Sequence, residues 1–268
     1  MPRRCCRGPE EKAILMVPAS PPIPRVSVCM AAYNGARHIG EQISSILSEL
    51  GEHDELIIVN DHSTDNTAEV IRGFDDSRIR LIEAESNAGY VRTFERALGE
   101  ARGEFVFLSD QDDIWIPGRV ELMISALDGK AMVVTNCEHF DGPLGSFHEL
   151  RLKSRDSPRA LRNILGIVIG YRLHWGCATA FRASILRQIL PFPRYMTESH
   201  DQWIAMVGNV NKSIAYLEDD TIRHRLHGEN LTPHGIRGPG KIVRARIAFF
   251  RNVVTAINRA RRTKRVEA

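Results

Sequence analysis

Long apolar runs are missing from this chain of 268 residues. A helix that crosses a bilayer needs roughly 18 consecutive apolar residues, and no run here approaches that length. The run AILMV at 13–17 is also shorter than the core of a signal peptide, which takes about 7 to 15 residues. We therefore expect a cytoplasmic protein, with contact at the inner face of the membrane left open.

Cysteine is scarce, and the spacing of the cysteines matches neither a disulfide framework nor a zinc site. The five cysteines, with Cys5 and Cys6 adjacent, form neither an even disulfide set nor the CxxC…CxxC spacing of a zinc site, which favours a reducing compartment. Excess charge is also small, at +3, so net charge gives no argument for nucleic-acid binding. What the chain has is 43% hydrophobic residues, enough for a substantial core.

Short apolar strands alternate with helices from residue 26 onward. The predicted elements are the strand RVSVCMAAY, the helix ARHIGEQISSILSEL, strands at 55–60, 78–83 and 104–109, helices at 66–74 and 88–101, and then a helix after Pro117 and the strand AMVVTNC. Continuous apolar strands separated by helices predict an α/β fold, with a mostly parallel sheet covered on both faces. Signals between 138 and 170 are too weak to assign elements.

Three polar loops follow these strands, at the sheet edge where α/β folds bind ligands. They read AAYNGA, NDHSTDNT and SDQDDIW. None carries the GxGxxG motif of dinucleotide folds or the GxxxxGK[ST] motif of phosphate loops. The loops therefore give no support for a dehydrogenase that transfers hydride or for an ATPase. In the second loop, Asp61 ends a strand where a carboxylate can accept hydrogen bonds from a base or ribose, and Asp65 is placed to cap the next helix.

The third loop, SDQDDIW, concentrates negative charge. Asp110, Asp112 and Asp113 fall within four positions, and like charges this close repel unless a cation lies between them. Mg²⁺ or Mn²⁺ suits such oxygen ligands and would bridge them to a substrate diphosphate. The alternative is a solvated acidic turn in which Asp113 caps the following helix. Within the first interpretation, Asp113 supports the helix side and is not a ligand.

An ordered set of motifs runs from about residue 26 to 232. It comprises VSVCMAAYNGARHIGEQISSIL, LIIVNDHSTDNT, NAGYVRTFERAL, FVFLSDQDDIWIPGRVELM and GCATAF…PFP…HDQWIAMVG…RHRLHGEN. This set resembles the family 2 glycosyltransferases of the GT-A fold, and SDQDDIW with a later HDxW is similar to the bacterial rhamnosyltransferase-like branch. The resemblance implies a Rossmann-like mixed, mostly parallel sheet with helices on both faces.

The resemblance also implies a site for a nucleotide-diphosphate sugar. Ala32, Tyr33 and Asn34 would border the nucleotide, and Asp61 would contact its base. Asp110 would open the DxD signature beside the diphosphate.

Metal binding and catalysis are implied for residues further along the chain. Asp112 would contact Mg²⁺ or Mn²⁺, and His227 would lie close to the metal and the diphosphate. Asp201 matches the general base of inverting members, with Glu198 as the second choice. Helix capping by Asp201 and a structural role for His227 remain alternatives.

Several positions depart from the family pattern or carry two interpretations. Gln202 stands where an aromatic residue is frequent, and Arg223 and His224 replace an aliphatic-Tyr pair. We assign these departures to the acceptor side. Trp115 and Trp203 would either stack on a sugar or fill the core, and we favour the core.

The chain divides into three predicted parts: a flexible tail at 1–24, a GT-A domain at 25–235 and a basic helical extension at 236–268. In the extension, a stripe is flanked by arginines and consists of Val243, Ile247, Phe250, Val254 and Ile257. A basic amphipathic helix of this kind indicates peripheral membrane contact, where polyprenyl-linked acceptors are found. The alternative is that the stripe packs on the domain.

These inferences predict an inverting glycosyltransferase of surface polysaccharide synthesis. The donor would be a nucleotide-diphosphate sugar, with dTDP-rhamnose as the best single candidate, and the acceptor a saccharide or lipid-linked saccharide. Two alternatives remain: a nucleotidyltransferase, and a non-catalytic module that binds nucleotide sugars or saccharides. The first would bring a glycine-rich basic loop after the first strand, which AAYNGARH does not supply, and the second would be expected to lose Asp110, Asp112 or Asp201.

Overall fold

The computed structural model describes residues 23–144, 150–172, 174–227 and 239–267. Its strands are β1 (Val26–Ala32), β2 (Glu55–Asn60), β3 (Ile79–Glu83), β4 (Phe105–Ser109), β5 (Ile114–Trp115), β6 (Met132–Phe140), β7 (Thr179–Arg182) and β8 (Ile214–Arg225). Its helices are α1 (Ile39–Leu47), α2 (Thr67–Arg72), α3 (Tyr90–Gly99), α4 (Arg119–Ala126), α5 (Ala160–Ile169), α6 (Leu186–Ile189), α7 (His200–Val210) and α8 (Pro239–Glu267).

The strands form one mixed sheet in the order β3-β2-β1-β4-β7-β6-β8-β5. The first four are mutually parallel, while β7 is antiparallel to both β4 and β6. β8 runs parallel to β6, and the two-residue strand β5 pairs with it in the antiparallel sense. The predicted mostly parallel α/β sheet is confirmed.

Two apolar cores lie on opposite faces of this sheet. Val28 and Met30 of β1 belong to a core that contains α1 and α4, whereas Cys29 points to a second core that contains α3 and α7. Alternate residues of a strand face opposite sides, so a strand buried on both faces has to be apolar throughout. This is why β1 and β2 appear in the sequence as unbroken apolar runs.

The region without assigned elements, 138–170, contains the end of β6 and the whole of α5. In α5, Leu161, Leu165 and Ile169 are exposed while Ile167 is buried. Apolar residues on both the buried and the solvent side erase the amphipathic period, which explains the weak signal. The predicted tail at 1–24 lies almost wholly outside the described residues.

Residues 239–267 of the basic extension form one long helix that packs on the domain. Tyr195 donates a hydrogen bond from Oη to Oδ1 of Asn252 (3.0 Å), and the Arg259 guanidinium donates to the carbonyl oxygens of Ile189 (2.9 Å) and Pro191 (2.7 Å). No helix among the described residues is long and apolar enough to cross a bilayer.

Both tryptophans whose role was left open belong to the core. Trp203 is fully buried and donates from Nε1 to the carbonyl of Ile189 at 3.0 Å. Trp115 is 3% exposed and lies under the Arg119 guanidinium, 4.7 Å from the ring centroid. The core interpretation is confirmed, and neither indole is available to stack on a sugar.

A buried carboxylate joins the amino ends of several strands. Glu55, at the start of β2, is 3% exposed and accepts hydrogen bonds from Ser27 Oγ (2.6 Å), Arg80 Nη1 (2.9 Å) and Arg102 Nη2 (2.6 Å). Burial alone would raise the pKa of Glu55, but these donors hold it below its ordinary value of 4.5. The charged form is therefore the one that the fold stabilises.

We expect Glu55→Gln to lower the free energy of unfolding by about 2–3 kcal/mol, because it removes a buried charge that accepts hydrogen bonds from two partly exposed guanidinium groups. The pKa of Glu55 is lower in the folded state, so its contribution is complete above about pH 4.5 and is lost as the pH falls through the folded-state pKa. Urea unfolding at several pH values measures both effects. Glu100→Gln, which removes a half-exposed partner of Arg80, should cost less than about 1 kcal/mol. Equal losses for the two variants would contradict this account.

Candidate active site

The three polar loops meet at the carboxyl edge of the sheet, because β2, β1 and β4 are neighbours. Gln111 of the acidic loop accepts from the backbone N–H of Tyr33 at 2.8 Å and donates to its carbonyl at 3.0 Å. A Cβ at Gly35 would overlap Gln111 Oε1, so a larger residue there would displace the end of this side chain. Asn34 accepts from the backbone N–H of Thr64 at 2.8 Å and adopts a φ of 48°, in the left-handed region.

Three of the predicted nucleotide-binding residues are consecutive in the chain and lie where β1 passes into its loop. Ala32 is buried at the end of β1, and the next two residues, Tyr33 and Asn34, are exposed at the loop surface. Asp65 accepts from the backbone N–H of Thr67 at 3.0 Å, which confirms its predicted capping of α2. The loops are therefore tied to one another by side-chain to backbone hydrogen bonds.

Asp61 closes the loop that precedes α3. Its two carboxylate oxygens accept from the backbone N–H groups of Ala88 and Gly89, each at 2.8 Å, and the residue is only 2% exposed. Contact with a base would use lone pairs that these bonds leave free, since a carboxylate accepts about four hydrogen bonds. No local pattern around Asp61 indicated this loop-closing role.

The three carboxylates of the acidic loop lie in different environments. Asp113 is fully buried, and its Oδ1 lies 2.8 Å from His224 Nδ1 and 3.1 Å from the backbone nitrogen of Arg225. Burial would raise the pKa of Asp113, yet the charge of His224 and its hydrogen bond hold that pKa below its ordinary value. The same pairing outweighs burial at His224 and raises its pKa to about 10.

This ion pair overturns two of our sequence-based interpretations. Asp113 is not a solvated helix cap, because α4 begins only at Arg119 and the carboxylate is occupied by β8. His224 does not belong to an acceptor-facing surface, since it lies inside, against the acidic loop. Gln202 is likewise buried, with its Oε1 3.2 Å from His174 Nδ1, so this departure also belongs to the interior.

The charges of Asp110 and Asp112 are compensated less completely than that of Asp113. Burial, followed by the charges of Asp113 and Asp112, raises the pKa of Asp110 to about 8. Burial and the charge of Asp113 also raise the pKa of Asp112. Since both carboxylates are held in an environment that disfavours their charge, this pair would gain most from a bound cation.

Arg225 is a functional candidate that the sequence reasoning did not identify. Its Nε donates to the backbone carbonyl of Asp112 at 3.0 Å, its Nη2 lies 2.5 Å from Glu41 Oε2, and its Nη1 pairs with Asp141. Arg225 is only 8% exposed, whereas the side chains of its two carboxylate partners, Glu41 and Asp141, are exposed. One guanidinium thus fixes the backbone of the acidic loop to α1 and to the turn after β6.

His227 contacts the acidic loop directly. Its Nε2 lies 2.7 Å from Asp112 Oδ2, and its ring stacks on His38 with centroids 5.5 Å apart. His38 and His227 are far apart in the sequence of the domain, but the fold places their rings side by side.

The donor set at Asp110, Asp112 and His227 fits a hard divalent cation. Mg²⁺ and Mn²⁺ usually bind through one or two carboxylates together with substrate phosphate oxygens, so a complete protein cage is not required. Asp112 and His227 present adjacent ligand atoms, and the raised pKa of Asp112 marks a carboxylate that a cation would stabilise.

A second group of potential ligands is more compact but chemically different. Asp113, Cys177 and His224 bring one ligand atom each to within 4.8 Å of one another, and all three are buried. The hydrogen bond with Cys137, together with burial and nearby carboxylates, keeps the pKa of the Cys177 thiol well above its ordinary value. A protonated imidazole has no lone pair for a metal, and a protonated thiol is a poor ligand compared with a thiolate, so this group is better explained by the pairing of His224 with the charge of Asp113.

Asp201 lies in the first turn of α7, on the far side of a short turn from the acidic loop. A Cβ built at Gly176 would lie 3.6 Å from Asp201 Cβ, and the next residue, Cys177, contacts Asp110 and Asp113. The turn at 176–178 therefore lies between Asp201 and the acidic loop and contacts both. Before α7, Ser199 has a φ of 62°, which sets the direction in which the helix begins.

The neighbours of Asp201 differ from it in exposure. Glu198, the second choice as base, is exposed, whereas Asp201 is half-buried. His200 is buried and stacked on Phe94 with centroids 4.3 Å apart, and burial lowers its pKa to about 3. His200 is therefore a neutral core residue.

Sequence comparison assigns the family. The family described as "Glycosyl transferase family 2" matches residues 27–190, more than half of the chain. The chain belongs to glycosyl transferase family 2. This membership confirms the family and the glycosyltransferase class that the motifs predicted. The rhamnosyltransferase-like branch stays a prediction.

Named relatives and solved structures are similar to parts of this family 2 chain. It is 38% identical over 102 residues to the Escherichia coli UDP-Glc:alpha-D-GlcNAc-diphosphoundecaprenol beta-1,3-glucosyltransferase WfgD, covering 38% of this chain and 40% of that protein. It is 34% identical over 123 residues to the Rhizobium meliloti succinoglycan biosynthesis protein ExoO, covering 45% and 35%. The structure of S. aureus TarS 1–349 in complex with UDP-GlcNAc superimposes with a TM-score of 0.64 at 19% identity, covering 88% of this chain and 72% of that one.

The TarS likeness confirms the GT-A-like fold, and the match over residues 27–190 confirms the family. The chain spans only 40% and 35% of the length of the two named sequence relatives. Their reactions are therefore not established for this chain by likeness alone.

We expect Arg225→Met to weaken Mn²⁺-dependent binding of a nucleoside diphosphate by at least about tenfold, because hydrogen bonds to a charged group contribute about 1.5–3 kcal/mol and the acidic loop would lose its anchor. Arg225→Lys should fall between Met and wild type, since it keeps the charge but not the three-way geometry. Calorimetric titration with UDP and dTDP in parallel measures this.

Arg223→Met provides the matched control on the same strand. Its guanidinium is half-exposed and lies 3.8 Å from Glu138 of β6. Wild-type affinity in Arg225→Met would refute the anchoring role, and an equal loss in Arg223→Met would indicate a general effect of positive charge.

Proposed function

We propose that this chain transfers a sugar from a nucleotide-diphosphate donor to a saccharide or lipid-linked saccharide acceptor, with inversion at the anomeric carbon. The observation that carries the proposal is that two functional groups lie on either side of one short turn. One is the acidic loop, whose carboxylates would be stabilised by a cation, and the other is the carboxylate of Asp201. Cys177 of the turn at 176–178 contacts Asp110 and Asp113 of the acidic loop, and Gly176 of the same turn lies against Asp201. Within the acidic loop, Asp112 pairs with His227. A group-transfer reaction needs both functions: one for the leaving group and one for the attacking hydroxyl.

On the donor side, the loops after β1, β2 and β4 bind and orient the nucleotide. Tyr33 and Asn34 are exposed at the edge where the nucleotide would lie. Asp61, which also closes the loop before α3, would contact the base through its remaining lone pairs. Asp110, Asp112 and His227 would hold Mg²⁺ or Mn²⁺, which supplies charge stabilisation to the departing diphosphate when bound. Arg225 keeps the acidic loop in position for this role.

On the acceptor side, Asp201 removes the proton from the attacking hydroxyl. The acceptor oxygen forms the new bond to the anomeric carbon while the bond to the diphosphate breaks, so attack occurs on the face opposite the leaving group. Half-burial at the start of α7 restricts the approach of water to this carboxylate. Glu198 is exposed and is the weaker candidate.

The donor nucleotide and sugar follow less directly from the site. The name of the E. coli relative specifies UDP-Glc, and the TarS structure contains UDP-GlcNAc. Rhamnose from dTDP-rhamnose follows from the likeness of SDQDDIW and HDxW to the rhamnosyltransferase-like branch. We propose a UDP-linked or dTDP-linked hexose as the donor class.

For the acceptor, we propose a saccharide carried on a polyprenyl diphosphate. The E. coli relative is named for a diphosphoundecaprenol-linked acceptor, and the Rhizobium relative for the biosynthesis of succinoglycan. Such acceptors are located in the membrane, so the protein would work at the inner face of the cytoplasmic membrane. Its basic helix α8 would provide the peripheral contact.

The two alternative functions account for less of the site. A nucleotidyltransferase has no need of a carboxylate across the turn from the acidic loop, and AAYNGARH lacks the glycine-rich basic character of its usual loop. A binding module would not require Asp110, Asp112 and Asp201 together.

We expect Asp112→Asn to abolish metal-dependent donor binding, because it removes the carboxylate that pairs with His227 and would contact the cation. Calorimetry with Mn²⁺ and a panel of UDP-Glc, UDP-GlcNAc and dTDP-rhamnose tests binding and identifies the donor together. Asp128→Asn, at an exposed position after α4, is the control. Full metal-dependent binding by Asp112→Asn would remove the proposed diphosphate anchor.

Asp201→Asn should keep donor affinity within about twofold and lower transfer by at least about a hundredfold, as expected when a general base is lost. The assay measures transfer to a saccharide acceptor with the donor that calorimetry selects. Glu198→Gln is the matched comparison and should retain most activity. Normal transfer by Asp201→Asn with loss in Glu198→Gln would exchange the two assignments.

A further inference from the structure

Helix α8 exposes an apolar row along its outer side. The row is spaced i, i+4, i+7 and i+11, with exposures of 57%, 57%, 63% and 45%, and consists of Val243, Ile247, Phe250 and Val254. The opposite side of the helix is the packed one, where Asn252, Ala256 and Ala260 are buried. The apolar stripe that the sequence indicated is therefore largely not what attaches α8 to the domain, and its last member, Ile257, is half-buried.

Helix α5 exposes a second apolar row. Leu161 is 81% exposed, Leu165 58% and Ile169 52%, at a spacing of four residues. The two helices are neighbours: Gly170, which ends α5, lies so close to Arg246 of α8 that a Cβ there would collide with the guanidinium nitrogens. Both helices also pack against α7. Exposed apolar rows on adjacent helices exceed what scattered surface residues present.

The charge of these helices is of one sign. Neither α5 nor residues 239–266 contain an aspartate or glutamate, whereas α8 carries exposed arginines beside its apolar row, among them Arg244 and Arg251. Exposed Arg261, Arg262 and Lys264 continue the charge toward its end. Apolar side chains flanked by arginines match the acyl boundary and headgroups of an anionic bilayer.

We propose that α5 and α8 together form a single membrane-docking surface for an anionic lipid bilayer. The proposal rests on the proposed function only in that a lipid-linked acceptor would make such docking useful. Apolar side chains of both helices enter the headgroup boundary, and the arginines of α8 contact lipid phosphates. A second copy of the chain is a poorer occupant, because self-association would bring two arginine-rich faces together.

The position of this surface relates it to the site. The chain leaves α5 at Gly170 and reaches Gly176, beside Asp201, six residues later. α7, which carries Asp201 in its first turn, is also the helix on which α5 and α8 pack. A bilayer held against α5 and α8 would therefore lie near the side from which the acceptor approaches Asp201.

Vesicle co-sedimentation of the full chain tests the surface. The vesicles are phosphatidylcholine alone, and phosphatidylcholine with about 30% phosphatidylglycerol, which supplies the negative surface charge that attracts arginines. We expect binding to the anionic vesicles only. Ile247→Ser/Phe250→Ser in α8 and Leu165→Ser/Ile169→Ser in α5 should each weaken that binding by at least about tenfold, since apolar insertion and charge act together.

Leu122→Ser, at an exposed apolar position on α4, is the control and should bind as wild type. Loss in the α8 variant alone would refute a shared surface, and equal binding to neutral vesicles would refute the role of the arginines. Concentration-dependent dimers that the same variants dissociate would assign the surface to a second copy instead. Melting curves verify that each variant is folded.

Activity separates this inference from the proposed function. With a water-soluble saccharide acceptor, the α5 and α8 variants should transfer sugar at the wild-type rate, because their substitutions lie outside the site. Vesicle binding by a wild-type protein that transfers no sugar would leave the docking surface standing and overturn the transferase proposal. Transfer without vesicle binding would do the reverse.

Discussion

Negative charge in the acidic loop must be balanced within the protein, because three carboxylates follow a strand that is buried on both faces. The compensating positive charge comes from β8, which lies three strands away from β4 in the sheet. His224 pairs with Asp113, and Arg225 holds the carbonyl of Asp112 while bridging to Glu41 and Asp141. The loop keeps its shape because these cations are fixed by the sheet and are not drawn from solvent.

The negative charge of the acidic loop is only partly compensated by the protein, and this leaves the loop able to bind a cation. The charge of Asp113 is paired with His224, and its pKa is lowered, whereas the pKa values of Asp110 and Asp112 are raised. One carboxylate therefore acts as a structural anchor, and the other two keep an unmet demand for positive charge at the open edge. A site that had neutralised all three internally would have little affinity for a cation and its diphosphate.

Helix α7 connects the chemistry to the outer surface. Its first turn carries Asp201, its buried length packs against α8, and α5 lies beside both. A rigid helix shared in this way would keep the distance between a docked bilayer and the base constant. The acidic loop would then hold the donor, while the apolar rows on α5 and α8 would hold the bilayer in which the acceptor is anchored.

Local patterns in the sequence were enough for the parts of this protein in which neighbours along the chain decide the outcome. Unbroken apolar runs gave β1, β2 and β4 their bounds to within one or two residues, and the ordered motifs gave the family and the candidate residues Asp110, Asp112, Asp201 and His227. The amphipathic period predicted α8, and its stripe was visible as apolar.

Tertiary structure alone decided what depends on partners distant in the chain. Asp113 and His224 are separated by 111 positions, so no local pattern could show that this aspartate is an anchor and not a helix cap. The role of Arg225 rests on three partners from separate segments, and α5 escaped detection because its apolar residues face both inward and outward. Sequence determined which groups the protein possesses, and packing determined which charges are paired, which remain available and which apolar rows face solvent.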